Sequence, residues 1–256
     1  MEELTRMKAT SWLAAATLLV LASSAPALAE DEGRVTISIG GGVLATSSAP
    51  EGTFDFDHQL FGGEAGSFDA DYGGGEASHY EASIAVRLRE RFGLGLTWST
   101  SVLDDDADIV GRLPHPFLHE SHRTVEGTSG GLSRDETAVH LSLRWRVRAG
   151  EKSDLTFFGG PSHIELEYDL VTGVRFDQAY PFDRASYAGV DAETTSGDAV
   201  GFHIGAEIVR WLNETVGLGF LVRFSEASVD LNGPDGSTMA VDGGGLDAAL
   251  ELRFRF

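Results

Sequence analysis

Apolar and polar side chains alternate at every second position along much of the chain. In its last stretch the apolar positions are Leu246, Ala248, Leu250, Leu252, Phe254 and Phe256, and the positions between them include Asp247, Glu251, Arg253 and Arg255. Side chains of a β-strand point alternately to its two faces. This stretch is therefore predicted to be a strand with one face suited to lipid and the other suited to water or to partner charges.

Seven further stretches show the same alternation and raise the number of predicted strands to eight. The earlier strands are predicted at about 34–45, 80–88, 92–99, 138–148, 154–170, 200–208 and 216–225. Long Gly- and Asp-rich connections, about 46–78, 104–134 and 171–196, alternate with tight turns, and a shorter connection at about 231–242 leads to the last strand.

This alternation of long and short connections predicts the fold class. The chain is predicted to be all-β, an eight-stranded antiparallel up-and-down transmembrane β-barrel with long extracellular loops, short periplasmic turns and both termini in the periplasm. The barrel must close, because an unpaired strand edge in hydrocarbon leaves backbone polar groups unsatisfied. A soluble β-sandwich remains the alternative, although it does not explain the connection pattern or the charged inner faces.

The fifth predicted strand shows a change of parity. Leu155 and Phe157 occupy its apolar face at the start, whereas Ile164, Leu166 and Tyr168 occupy it at the end. A β-bulge across residues 158–162 would produce this slip and would accommodate Pro161, which cannot donate a ladder hydrogen bond. With the bulge, Glu165 and Glu167 are predicted to face the barrel interior.

The first 29 residues have the pattern of a secretory signal. A short apolar run follows Arg6 and Lys8, and the small-residue pattern before Glu30 predicts cleavage after Ala29. The predicted organisation is a signal peptide at 1–29 and an outer-membrane barrel domain at 30–256. The chain has no cysteine, which excludes a lipoprotein anchor and a disulfide framework, and its net charge of -21 argues against nucleic acid as a partner.

The predicted inner faces collect charges of both signs. They are Glu81, Arg87, Arg89, Arg144, Arg146, Glu165, Glu167, Glu207, Arg223, Asp247, Glu251, Arg253 and Arg255. The lumen of an eight-stranded barrel is only wide enough to be filled by side chains, so we expect these charges to pair as a structural plug. A conducting channel is the alternative, and the arginines near the periplasmic ends suggest either an anion vestibule or strand ends that meet water.

The loops contain candidate cation ligands. Acidic residues crowd the first two long connections at Glu51, Asp55, Asp57, Glu64, Asp69, Asp71, Glu76, Asp104, Asp105, Asp106 and Asp108. Such carboxylates could hold divalent cations that bridge to lipopolysaccharide phosphates, or form a solvated, mutually repelling loop. His115, His119 and His122 would share one face of a helix and could ligate zinc or copper if a helical turn formed there. Surface histidines are the default, and no cofactor is predicted.

One short motif resembles a catalytic site. His140-Leu141-Ser142 is similar to the His-x-Ser of outer-membrane lipid A deacylases, which use a Ser-His-acid site. In this chain the spacing fixes no partner acid, and the alternation places His140 and Ser142 on the lumen side. A lipid-modifying enzyme is therefore one hypothesis for the function, and it depends on this three-residue match alone.

Several runs resemble the outer-membrane protein β-barrel domain, the group that includes OmpX-, OmpW- and opacity-type proteins. The runs are residues 157–161 leading to 168–171, residues 216–225, and the final Leu252-Arg253-Phe254-Arg255-Phe256. The resemblance implies location in the outer membrane with its lipid and lipopolysaccharide. It also implies that Leu252, Phe254 and Phe256 carry the signal read by the barrel assembly machinery. Two more functions follow as hypotheses: a non-enzymatic envelope or surface-interaction protein, or an OmpW-like conduit for small hydrophobic molecules.

Overall fold

The computed structural model describes residues 34–46, 52–60, 64–73, 75–233 and 237–256, with the backbone alone described for 52–60. The predicted signal peptide and its cleavage position lie outside these residues. The strands are β1 (Val35–Thr46), β2 (Gly52–Leu60), β3 (Glu64–Tyr72), β4 (Glu76–Arg87), β5 (Phe92–Pro114), β6 (His122–Arg148), β7 (Ser153–Gln178), β8 (Ala185–Trp211), β9 (Val216–Asn232) and β10 (Thr238–Arg255). The described residues contain no helix long and apolar enough to cross a membrane.

Eight of the ten strands form a closed antiparallel ring in the order β1-β4-β5-β6-β7-β8-β9-β10. The ring closes where β1 pairs with β10, from Thr36 opposite Arg255 to Thr46 opposite Gly245. Backbone hydrogen bonds between Val35 and Phe256 complete this seam. The predicted fold class, an up-and-down antiparallel barrel of eight strands, is confirmed.

The half of the barrel nearest the short turns is apolar outside and polar inside. On β5, for example, Phe92, Leu94 and Leu96 are 41–48% exposed on the outer face, whereas Thr97 and Ser99 are buried on the inner face. Lipid supplies the apolar surroundings that these outer side chains require, so this band is the part suited to the membrane. Inward glycines keep the wall thin: a Cβ at Gly42 would lie 1.9 Å from the Ala248 carbonyl oxygen.

The far half of the barrel has the opposite polarity. Strands β5 to β8 continue as a β-sheet well beyond the apolar band, where the predicted long loops were expected, and β2 and β3 form an additional hairpin whose β3 pairs with β5. We call this part the extension. Its outer face carries acidic residues such as Asp106 and Asp108, while Ala107 and Ile109, which alternate with them, are buried inside.

The β9–β10 hairpin closes the extension from within. β8 pairs with β9 only between Phe202 and Trp211, and the pairing of β10 with β1 ends at Gly245, so the end of the hairpin leaves both neighbours. Gly244 bends β10 at this point with a φ of 91°, in the left-handed region that favours glycine. The hairpin then contributes its own buried side chains to an apolar core shared with β3, β5, β6 and β7. The core members include Phe68, Tyr72, Ile109, Leu132, Leu166, Tyr168, Val229, Leu231 and Val241.

The parity slip predicted in the fifth strand is wrong. From Thr156 to Leu170 the even-numbered side chains of β7 face inward, and Ile164, Leu166 and Tyr168 are each 0% exposed. Glu165 and Glu167 therefore lie on the outer face and are not part of the lumen. Irregularities lie elsewhere: in β6, Gly130 and Gly131 face Asp106 across a register shift and Gly131 has a φ of 80°, and the pairing of β7 with β8 shifts between Val171 and Gly173.

Candidate functional site: a filled lumen and an extracellular tip

The first layer of the lumen above the periplasmic end is built on Glu207. Its carboxylate accepts hydrogen bonds from Arg253 and forms an ion pair with Arg144. Arg253 also donates through Nε to Glu251 at 3.0 Å, and Glu251 accepts from Ser38 at 2.9 Å. β6, β8, β10 and β1 each place a polar side chain inward here because the apolar side chains of the same strands face outward. The layer joins both sides of the barrel across its axis.

A second layer is built on Arg223, whose side chain is 2% exposed. Its Nε donates to Asp247 Oδ2 at 2.8 Å and its Nη1 lies 3.1 Å from Glu81 Oε2, and both carboxylate side chains are 1% exposed. Nη2 lies 3.3 Å from His79 Nε2. Loss of the cation between two buried carboxylates would leave the desolvation cost of both carboxylates uncompensated.

Two histidines and two serines form a buried chain beside Arg223. His140 Nδ1 lies 2.8 Å from Ser162 Oγ, which lies 2.9 Å from His203 Nδ1, and His203 Nε2 lies 3.0 Å from Ser142 Oγ. His140 and Ser142 are both 2% exposed and face the lumen. His140 is thus hydrogen-bonded to Ser162 and, through Nε2 at 3.3 Å, to Ser99, and not to Ser142, and a serine-histidine pair in this position has no access to a lipid substrate.

Above these layers the lumen becomes apolar. Arg134 Nη2 donates to the Asp242 carbonyl oxygen at 2.8 Å, and the backbone N–H of Gly244 donates to Glu136 Oε2 at 2.8 Å. Tyr168 donates its hydroxyl to Asp105 Oδ2 at 2.8 Å. The first two bonds attach the β9–β10 hairpin to β6, the third joins β7 to β5, and together they mark the floor of the apolar core.

Apart from Glu165 and Glu167, which lie on the outer face, the structure divides the predicted lumen charges into two groups. Those brought together in the two layers are Glu81, Arg144, Glu207, Arg223, Asp247, Glu251 and Arg253. Arg87, Arg89, Arg146 and Arg255 lie instead at the periplasmic mouth, because their strands end there. The sequence interpretation missed several members. His79, Arg134 and Glu136 lie within or beside stretches interpreted as loops, although Arg134 and Glu136 continue the even-numbered inward parity of His140.

A cleft opens at this periplasmic mouth. It is lined by Arg87, Arg91, Arg146, Arg255, Asp154 and Trp211, among others, and we call it the mouth cleft. Trp211 donates its indole N–H to Asp154 Oδ2 at 2.9 Å, and the Arg255 guanidinium lies 4.2 Å from the centre of the Trp211 ring. These contacts fix the aromatic ring and the guanidinium against each other.

The outermost end of the extension carries aromatic side chains exposed to solvent. Phe117 is 63%, Leu118 55% and Tyr180 81% exposed. The rings of Phe117 and Tyr180 both pack on Phe182, with ring centroids 5.4 and 6.1 Å apart. We call these four residues the tip cluster. They lie on the two connections β5–β6 and β7–β8, which the structure brings together.

Polar contacts hold the tip cluster in place. The Arg123 guanidinium donates to the carbonyl oxygens of Pro114 and Phe182 at 2.9 and 3.1 Å and to Gln178 Oε1 at 2.6 Å. His115 Nδ1 accepts hydrogen bonds from the backbone N–H groups of the two residues that follow Pro116. Phe182 has a φ of 69°, a costly conformation for a bulky residue. The exposed rings are therefore presented by an ordered scaffold.

The three loop histidines do not converge. The segment forms a tight turn and not a helix, so the shared helix face predicted for them does not exist. His115 is buried beneath the turn, His119 lies 3.4 Å from Glu64, and His122 is exposed at the start of β6. Among the residues that the structure describes, no group of three His, Cys, Asp or Glu side chains could hold a metal ion. Of the acidic loop residues, Glu51 lies outside the described residues and Asp55 and Asp57 have only a described backbone.

Comparison with known proteins bears on the fold. No protein-family model matches the chain, and no curated protein matches it in sequence. Among solved structures it is similar to the outer membrane protein OprG from Pseudomonas aeruginosa, at 12% identity over 88% of this chain and 97% of that chain, with a TM-score of 0.47. It is also similar to Ail, the attachment invasion locus protein of Yersinia pestis, at 10% identity over 88% of this chain and 100% of that chain, with a TM-score of 0.41.

A third similar structure is the outer membrane protease OmpT from Escherichia coli, at 9% identity over 91% of this chain and 100% of that chain, with a TM-score of 0.46. At such identities the likeness concerns the fold and no activity. The structure itself shows that the chain is all-β, with a closed ring of eight antiparallel strands.

Proposed function

We propose that this protein is a closed, non-enzymatic outer-membrane barrel that anchors a rigid extracellular extension for contact with a partner at the cell surface. The observation that carries the proposal is the filled lumen. Ion pairs on Glu207 and Arg223 occupy the membrane half, and the apolar core that contains the β9–β10 hairpin occupies the extension. A barrel filled over its whole height serves as an anchor and not as a passage.

The extension carries the tip cluster far from the membrane. From Val139, the last outward apolar residue of β6, the strand continues to His122. At about 3.3 Å per residue and a tilt of about 40°, the tip stands roughly 40 Å beyond the apolar band. Exposed aromatic side chains on a fixed scaffold are typical of the central residues of protein interfaces.

We propose a protein partner with an apolar pocket and a basic rim. The apolar pocket matches Phe117, Leu118 and Tyr180, and the basic rim matches the acidic outer face of the extension. The same acidic face disfavours polyanionic partners such as acidic polysaccharides.

This contact can be tested with cells that display the wild type or the double variant Phe117→Ser/Tyr180→Ser. Attachment to a lysozyme-coated, basic surface is compared with attachment to an albumin-coated, acidic one. Val110→Ser is the matched control, because Val110 is 36% exposed on the extension away from the tip. We expect the double variant to lose attachment to the basic surface and the control to retain it. Equal attachment by all three proteins would refute the role of the tip cluster.

The outer face of the extension suggests contact with lipopolysaccharide through divalent cations. Burial raises the pKa of the Glu167 carboxyl group, and the negative charges of Asp135, Glu165 and Asp169 raise it further. These carboxylates form no metal site of three protein ligands, so a cation would have to be shared between a single carboxylate and a lipid phosphate, which would relieve this repulsion. Removal of divalent cations with EDTA should then release bound lipopolysaccharide from the wild type. A Glu165→Gln/Glu167→Gln variant should bind less lipopolysaccharide before EDTA is added, and EDTA should not change the amount bound.

The alternative function is passage of small hydrophobic molecules. Two observations favour it: the inward face of the extension is apolar, and β8 and β9 no longer pair above Phe202. Passage would require the β9–β10 hairpin to leave the core. Liposomes that contain the protein should then take up a hydrophobic fluorescent dye faster than empty ones, whereas a closed barrel predicts equal rates.

We infer that His140 and Ser142 do not form an enzyme site. Both are buried in the lumen, where His140 is hydrogen-bonded to Ser162 and Ser99 and Ser142 is hydrogen-bonded to His203. Export with cleavage after Ala29, and recognition of Leu252, Phe254 and Phe256 by the assembly machinery, remain part of the proposal. All three side chains lie on the outer face of the last strand, as the alternation predicts, with Phe256 59% exposed.

A further inference from the structure

The periplasmic mouth has the opposite charge character to the rest of the molecule. The chain has a net charge of -21, yet the mouth cleft brings together Arg87, Arg91, Arg146 and Arg255. Arg87, Arg148 and Arg255 stand close enough to Arg146 for their charges to act on its guanidinium. Like charges held together in a concave, partly desolvated site create a strong local potential for ions of the opposite sign.

Two carboxylates that line the cleft, Glu207 and Asp154, do not neutralise Arg146 and Arg255. Glu207, at the roof of the cleft, is already engaged by Arg144 and Arg253. Asp154 accepts a hydrogen bond from Trp211 at 2.9 Å, and only a long contact of 3.8 Å joins it to Arg146 Nη1. Arg146 Nη2 donates to a backbone carbonyl oxygen, that of Glu90, at 3.2 Å. Arg255 likewise donates through Nε to a carbonyl oxygen, that of Glu214.

The cleft has room for a ligand. About 70 Å³ of it is open to the centres of water-sized groups, and its lining combines the guanidinium groups with the Trp211 ring and the hydroxyl groups of Thr36 and Thr156. The stack of Arg255 on Trp211 holds one guanidinium plane in a fixed orientation. Planar guanidinium groups match phosphate oxygens with two parallel hydrogen bonds, and hydroxyl groups donate to the same oxygens.

We propose that the mouth cleft is a binding site for a phosphate-bearing anion that enters from the periplasm. The phosphate group lies between Arg146, Arg255 and Arg91, and Trp211 forms the wall beside it. A soluble phosphate compound and the headgroup of an anionic phospholipid share this chemistry. The site is independent of the surface contact proposed above, since it lies at the opposite end of the barrel.

The test measures binding of tripolyphosphate by calorimetry to the full-length mature protein in zwitterionic detergent, at roughly 0.15 M salt so that weak surface attraction is screened. Arg91→Gln/Arg146→Gln should bind roughly tenfold more weakly, the loss expected for a charge-assisted hydrogen bond. Asp154→Asn should bind several-fold more tightly, because it removes a negative charge while its amide oxygen can still accept the Trp211 N–H. This second variant keeps the test informative if the arginine variant does not fold.

The matched control is Arg112→Gln/Arg175→Gln, which removes two exposed arginines that face Asp69 and Asp191 on the extension. It should bind as the wild type does. A second arm compares nanodiscs of phosphatidylglycerol with nanodiscs of phosphatidylcholine: if phosphatidylglycerol alone competes with tripolyphosphate, the source is a lipid headgroup, and if neither does, it is a soluble compound. Absence of tripolyphosphate binding by the wild type, or equal weakening in the control, would overturn the proposal.

Discussion

Replacement of Arg223 by methionine removes the cation from the second lumen layer and leaves two carboxylates buried without it. The Arg223 side chain is 2% exposed and those of Glu81 and Asp247 are 1% exposed, with contacts of 3.1 and 2.8 Å. Loss of one partner of such a buried pair costs about 3–5 kcal/mol, because the remaining charges keep their desolvation penalty. We expect Arg223→Met to lower the free energy of unfolding by about this amount.

The assay is urea unfolding of the protein in lipid vesicles, followed by tryptophan fluorescence and by the shift in gel mobility on heating. Arg112→Met is the control: its contact with Asp69 is 3.4 Å long, the two side chains are 58% and 39% exposed, and its loss should cost about 0–1 kcal/mol. The triple variant Arg223→Met/Glu81→Gln/Asp247→Asn should recover most of the loss. If Arg223→Met unfolds at the same urea concentration as Arg112→Met, the layer does not stabilise the barrel and the reasoning fails.

Three further predictions concern the extension. Burial raises the pKa of the Tyr72 hydroxyl to about 12, above the value of about 10 in the unfolded chain. The contribution of Tyr72 to stability is therefore complete below pH 10 and is lost as the pH rises toward 12, at a cost of about 3 kcal/mol. Ultraviolet difference spectra of the wild type and Tyr72→Phe should detect the ionisation of this hydroxyl. Leu231→Ala should cost about 2–5 kcal/mol and make the extension sensitive to protease while the barrel stays resistant, whereas Val110→Ala should change neither, and equal resistance would contradict the buried hairpin. Since the chain has no cysteine, Glu165→Cys should react rapidly with a membrane-impermeant maleimide and Leu166→Cys, at a position 0% exposed, slowly; the reverse order would restore the parity predicted from the sequence.

The sequence predicted the membrane half well because one rule holds there. Outward side chains meet lipid and inward ones meet water or charge, so Leu94 and Glu81 can be assigned from alternation alone. The rule reverses in the extension, where the outer face meets water and the inner face meets a core. Ile164, Leu166 and Tyr168 were assigned outward because the lipid rule was applied to them. If the even-numbered positions of β7 are assigned to the inner face along the whole stretch 156–170, the observed arrangement follows and no bulge across residues 158–162 is needed.

The extension itself was missed for a related reason. Asp104, Asp106 and Asp108 were interpreted as part of a solvated loop, although Ala107 and Ile109 alternate with them and are buried. The inward fold of the β9–β10 hairpin depends on contacts between distant strands, such as Glu136 with the Gly244 N–H, which no local pattern contains. The three consecutive glycines at 243–245 were the available local indication of a bend.

Single-channel conductance in planar bilayers tests the closed lumen most directly. We expect the wild type to be silent. The triple variant that neutralises the Arg223 layer should stay silent too, because Glu207 with Arg144 and Arg253 closes the barrel below it and the apolar core closes it above. Discrete conductance steps from the wild-type protein would contradict the closed lumen and would make it a passage.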